Sequence, residues 1–207
     1  MRVFLTSSAR LPKDTQLALK IAALQLWFGK GADYAATCRR ILELAAGTDD
    51  ASTAERAAKA YCLRPSSDPQ LIESAVTLAR RAVELGKDQP NLPWYQMALG
   101  MAEYRHGGYP TADKALSAAQ QGKDDPPLQA TARFFHAMSL FQQGKEAEAR
   151  QRFAEAEAQM PPLPADEKQP LANGADADSV IVWLAYKEAK ALLQAKADAV
   201  PAKPGEK

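Results

Sequence analysis

The chain has 207 residues, with 26 Lys plus Arg against 25 Asp plus Glu, so its formal net charge of +1 offers no bulk field for nucleic acid or an anionic membrane. Its composition, 46% hydrophobic, supplies enough apolar material for one or two globular domains or one elongated repeat array. The two cysteines, Cys38 and Cys62, stand in separate helical patterns without CxxC or Cys/His spacing, which excludes a disulfide framework and a structural zinc motif and leaves them as small buried hydrophobes of a reducing compartment.

In chain order, residues 1–14 read as a leader whose apolar run, Val3 to Leu5, is far shorter than the roughly 7–15 residues of a secretory signal core. No run approaches the roughly 20 apolar residues of a membrane span, so a cytoplasmic location is expected. "DTQLALKIAALQLWF" follows, with Asp14 as N-cap and Leu17, Ile21, Leu24 and Phe28 on one helical stripe, broken by Gly29 and Gly31. "DYAATCRRILELAAG" resumes with Tyr34, Cys38, Ile41 and Ala45 on one face and closes at Gly47. A third helix starts near Asp50 or Ser52 and stops at Pro65; a fourth starts near Pro69 and ends at Gly86. Trp94 to His106 pairs with Tyr109 to Gln121, Leu128 to Gln143 pairs with Lys145 to Met160, and Ser179 to Lys196 stands alone. Alternating strand-like runs are missing, so the fold class is all-α.

The pairs repeat. Cys38, Ala75, Ala112 and Ala149 are spaced 37 residues apart, and seven residues on Ala45, Ala82, Ala119 and Ala156 keep the same period. Between them stand Leu42, Ala79, Leu116 and Phe153. Small residues at two turns' spacing let one helix lie close to the next while the middle residue fills the gap, which is how stacked hairpins pack.

In "LGMAEYRHGGYPTADKALSAA", Leu99, Gly100, Ala102, Tyr104, Gly107, Tyr109, Ala112, Leu116 and Ala119 resemble the tetratricopeptide-repeat pattern, and Ala137, Gly144, Ala149, Phe153, Ala156 and Pro161 continue it. Against the family period of about 34 residues this array has longer connections such as "GKDDPP", and His136 stands where the family prefers leucine. The order of "LWFGKGADYAATCRRILE", "DDASTAERAAKAYCLRP", the regular repeats, a Pro-rich stretch and "VIVWLAYKEAKALL" also resembles the C-terminal tetratricopeptide arrays of large bacterial serine/threonine kinases and propeller-repeat proteins. No kinase element accompanies it: a glycine-rich loop before a strand Lys, His-Arg-Asp and Asp-Phe-Gly are all missing.

The resemblance implies a right-handed superhelix of about four antiparallel helical hairpins over 15–159. A Pro-rich connector over 160–178, a capping helix over 179–196 and a disordered tail over 197–207 are expected to follow. In the family, partner segments lie along the concave face of the first helices. By position that face carries Trp94, Met97, Met101, Tyr104 and Arg105, then Thr131, Phe134, Met138, Phe141 and Gln142. Methionines and aromatics at this spacing suit a groove for a protein or peptide segment with an apolar anchor, and equally suit packing against a neighbouring hairpin or the last helix. The last helix, with Trp183, Tyr186, Ala189 and Leu193 on one face, is expected to cover the exposed apolar face of the last hairpin.

Catalytic chemistry finds no support: Gly100, Gly107 and Gly108 match no nucleotide motif, and neither His106 nor His136 has a nucleophile at a recognisable spacing. Both histidines read as structural, and the Arg39–Arg40 and Arg80–Arg81 pairs read as solvated faces. No enzyme activity, cofactor or metal is expected, and the sequence carries no signal for oligomeric state. The expected function is a non-enzymatic protein-interaction module, with a structural spacer beside an effector domain as the alternative.

Overall fold

A computed structural model describes residues 14–122 and 125–195; the expected tail, most of the leader, and Lys123 and Asp124 of the "GKDDPP" connection lie outside the described residues. All regular structure within them is helical: α1 (Thr15–Trp27), α2 (Gly31–Ala45), α3 (Ala51–Cys62), α4 (Pro69–Leu85), α5 (Leu92–His106), α6 (Tyr109–Gln120), α7 (Pro126–Gln142), α8 (Glu146–Gln159) and α9 (Ala177–Ala195), with one 3-10 turn at Ala172–Gly174.

Local chemistry sets the boundaries. Asp14 accepts hydrogen bonds from the Gln16 and Leu17 amides at 2.8 and 3.3 Å, and Asp50 accepts from Thr53 at 2.8 Å. Asp68 and Asp125 cap α4 and α7 in the same way, each ahead of a proline whose missing N–H falls where no helical partner exists. The stops are equally local: Gly107 closes α5 at φ 86° and Gly144 follows α7 at φ 78°, a left-handed conformation that glycine adopts without a Cβ clash. These two residues are 37 apart, so the turn repeats with the helices.

Consecutive helices pack as pairs, α1 with α2, α3 with α4, α5 with α6 and α7 with α8, and the first helices also touch in succession, α1 to α3 to α5 to α7. The spaced small residues make this possible. Cys38, Ala75, Ala112, Ala149, Ala45, Ala82, Ala119 and Ala156 are all buried, and the middle residues Leu42, Ala79 and Leu116 are buried with them. Gly100 of α5 shows the limiting case: a Cβ there would meet Leu116 Cδ2 of α6 at 2.6 Å and the Leu116 backbone nitrogen at 3.2 Å.

Two expectations change. On α1 the stripe is displaced: Leu17 is 41% exposed, while Ala18, Leu19, Ile21, Ala22, Ala23 and Gln25 are buried. Contacts with α2, α3 and α9 surround α1 on more than one side, so a broad face is covered rather than one narrow stripe. The last helix starts at Ala177 and packs mainly on α7 and next on α1, with little contact to α8. It lies on the last hairpin through α7, with Tyr186 stacked on Phe153 of α8, and extends from there to α1. Its backbone packs on α1 and α7, and it reaches α5 through the Arg105–Glu188 pair.

Candidate functional site

The face formed by α1, α3, α5 and α7 is the surface on which the expected partner-binding residues fall. Met97, Met101, Phe134 and Met138 are wholly buried, Tyr104 and Phe141 are 8% exposed, and Thr131 is buried, so these residues pack the interior. Trp94 and Arg105 are partly buried and Gln142 is exposed. Tyr104 meets Phe135 edge-on at 5.7 Å between ring centroids, and burial pushes its hydroxyl pKa up to about 12. The expected groove positions therefore divide: a packed floor of methionines and aromatics, a rim of Trp94 and Gln142, and Arg105, whose side chain is buried between them and α9.

Over that floor lies α9. Val180, Ile181, Val182 and Trp183 are all buried, so its first half is covered on more than one side, while Tyr186, Ala189 and Leu193 continue one apolar stripe along its second half. Trp183 packs on Trp27 of α1 with centroids 5.6 Å apart, and its indole N–H donates to the Pro161 carbonyl at 3.1 Å. Tyr186 closes an aromatic cluster with Phe134 of α7 at 5.7 Å and Phe153 of α8 at 5.8 Å, and its hydroxyl donates to Glu157 at 2.9 Å. Two residues past Tyr186, the Glu188 carboxylate receives the Arg105 guanidinium of α5 in a bidentate pair at 2.5 and 2.7 Å. Arg105 Nε also donates to the Cys62 carbonyl at 2.9 Å, tying the end of α3 to the same group. Its side chain is 5% exposed; burial works against its charge, but the Glu188 carboxylate outweighs this and holds its pKa above the usual arginine value.

Where α3 and α5 stand back from α9, a cleft of about 180 Å3 remains, lined by Gln16, Leu19 and Lys20 of α1, Ser52, Glu55, Arg56 and Lys59 of α3, Asn91, Trp94 and Tyr95 around the start of α5, and Ala177 and Asp178 of α9. Glu55 and Lys59, each 4% exposed, form an ion pair at 2.6 Å, and the Lys59 ammonium lies 4.6 Å from the centre of the Trp94 ring. The starts of α1, α3, α5 and α9 border it, and its lining mixes Lys20, Arg56 and Lys59 with Glu55 and Asp178. Sequence reading placed Trp94 in the groove but missed the α3 residues, whose charges at positions 55, 56 and 59 look like a solvated helix face. The available signal was the spacing of Ser52, Glu55 and Lys59 on one side of an otherwise Ala-rich helix.

Other chemistry-bearing groups resolve into structural contacts. Asp113, His136 and Ser139 approach one another, but His136 Nε2 is 3.9 Å from Asp113 Oδ1, too far for a hydrogen bond. The buried Ser139 hydroxyl donates to the Tyr109 carbonyl at 3.3 Å, so it is not poised as a nucleophile. Arg39 and Arg40 are exposed, whereas Arg80 pairs with the buried Glu103 at 2.8 Å and Arg81 donates to the Thr48 carbonyl. Among the described residues no group of three or more His, Cys, Asp or Glu side chains is placed to hold a metal ion. No helix among them is long and apolar enough to cross a membrane.

Comparison with protein-family models, with curated proteins and with solved structures finds no match to this chain. Its function is therefore argued from the face itself.

Proposed function

We propose that the chain is a non-enzymatic protein-interaction module of the tetratricopeptide-repeat kind, whose concave face of first helices binds a partner segment with an apolar anchor. The 37-residue register of buried small residues supports the repeat reading, as does the Gly100–Leu116 approach at its best unit. One observation carries the binding reading: the face already holds an amphipathic helix, through aromatic contacts of Trp183 with α1 and Tyr186 with α7 and a buried Arg–carboxylate pair at Glu188. The open cleft beside Trp94 extends the same face beyond the start of α9.

The same observation favours a second reading, in which the array is a spacer or intramolecular scaffold and α9 is its permanent occupant. Capture of partners by the full chain separates the two when repeated with Trp94→Ala and Arg56→Glu. A partner retained at high salt, where exposed charges are screened, and lost from either folded variant supports the interaction module. Capture that neither variant affects, or no capture by the chain or by its Glu188→Gln variant, in which Arg105 loses its carboxylate partner, favours the spacer.

A further inference from the structure

The segment that carries α9, residues 160–176, holds no α-helix and only one 3-10 turn. At roughly 3.3 Å per residue such a connector spans on the order of 50 Å, long enough for α9 to leave its seat without dragging α8 once the hydrogen bonds of Trp27 to the Glu167 carbonyl and of Trp183 to the Pro161 carbonyl are released. What it would leave is not a uniform apolar surface. It carries Trp27 and Phe134, which Trp183 and Tyr186 cover, and a guanidinium whose only described carboxylate partner is Glu188, past both aromatic contacts on α9.

We propose that α9 is a built-in competitor on this face: the face takes an external amphipathic helix with two aromatic residues three positions apart and a carboxylate two positions after the second, the Trp183–Tyr186–Glu188 pattern, and that helix binds by displacing α9. The inference rests on the partner-binding reading above and adds the partner's chemistry. Charge sets the selectivity. A helix lacking the carboxylate buries Arg105 without a counter-ion, whereas the open face leaves Arg105 in water. Losing the carboxylate therefore penalises only the occupied state, on the order of 100-fold. Tethering sets the threshold, because a flexibly linked segment competes at an effective concentration in the millimolar range. A tethered α9 with micromolar intrinsic affinity consequently makes an external helix bind the intact chain roughly 1000-fold more weakly than the open face.

The probe is a fluorescently labelled peptide of residues 177–195, titrated into the full chain. Weak binding to the unchanged chain is expected, with a gain of 10-fold or more when the chain carries Glu188→Gln. Arg105→Glu in the chain should abolish binding of this peptide, and a peptide carrying Glu188→Arg should restore it. Hydrogen exchange of the unchanged chain gives a reading that needs no variant: α9 amides should exchange at least 10-fold faster than those of α5 and α7. Equal binding by the unchanged and Glu188→Gln chains, or α9 exchange only at the rate of the array core, overturns the proposal. If partner capture still depends on Trp94 and Arg56 in that case, the interaction reading stands and this one falls.

Discussion

Gly100→Ala tests the packing on which the repeat reading depends, because the two physical effects of the change oppose each other. Alanine in a helix interior gains about 1 kcal/mol over glycine in propensity. Against this, the added Cβ would lie 2.6 Å from Leu116 Cδ2 and 3.2 Å from the Leu116 backbone nitrogen, and Leu116 is fully buried. The leucine has no room to retreat, and the backbone contact yields only if α5 and α6 separate. An overpacking cost near the upper end of the usual range, about 3 kcal/mol, leaves a net loss of about 2 kcal/mol. Urea unfolding measures it. Leu116→Ala alone should cost about 3 kcal/mol as a core truncation, but it also vacates the space that the new Cβ needs. The double variant should therefore lose at least about 2 kcal/mol less than the sum of the singles. A stabilising Gly100→Ala, or two losses that simply add, would refute the close approach of α5 and α6.

Burial pushes the thiols of Cys38 and Cys62 up to about 12, so neither should react with a thiol reagent at pH 8 until urea is added; rapid native labelling of both would contradict this. Because the unfolded thiols ionise near 9 and the folded ones do not, each should also remove about 1.4 kcal/mol of stability per pH unit between those values as pH rises, visible as falling urea midpoints above pH 9. Burial, opposed by Asp113, lowers the His136 pKa below the usual 6.5. Its contribution to stability should be complete above pH 6.5 and lost as pH falls through the lower folded value, and an NMR titration midpoint at or above 6.5 would contradict the burial. Tyr104→Ala and Phe141→Ala should each cost about 3 kcal/mol in thermal or urea unfolding, since both side chains pack the interior; full retention of stability would return them to the surface.

Helix existence and most boundaries are legible in the sequence because local chemistry sets them: Asp14, Asp68 and Gly107 act on their own backbone neighbours. The hairpin stack is legible too, since Ala75, Ala112 and Ala149 report close packing by being small at a fixed spacing. The site is less so. Periodicity shows that Met97, Met101, Phe134 and Met138 share a face, but it does not say what covers that face, and the same stripe serves a groove or a core. The pattern of α9 identified its buried residues correctly, Trp183, Tyr186, Ala189 and Leu193, yet not their neighbours. Its seat is decided by contacts between residues far apart in sequence, such as Trp27 with Trp183 and Arg105 with Glu188, which no local rule encodes. Glu55 and Lys59 escaped notice because a buried ion pair and a solvated one look alike at i, i+4 spacing.

The central claim is that α9 lies across the face of the first helices, from α1 to α7. Proton NMR of the aromatic rings tests this most directly. The account predicts cross-relaxation between Trp27 and Trp183, whose centroids are 5.6 Å apart, and between Phe134 and Tyr186 at 5.7 Å, in the same molecule. Contacts of Tyr186 to Phe153 alone, with none from Trp183 to Trp27, would seat α9 on the last hairpin alone and contradict it.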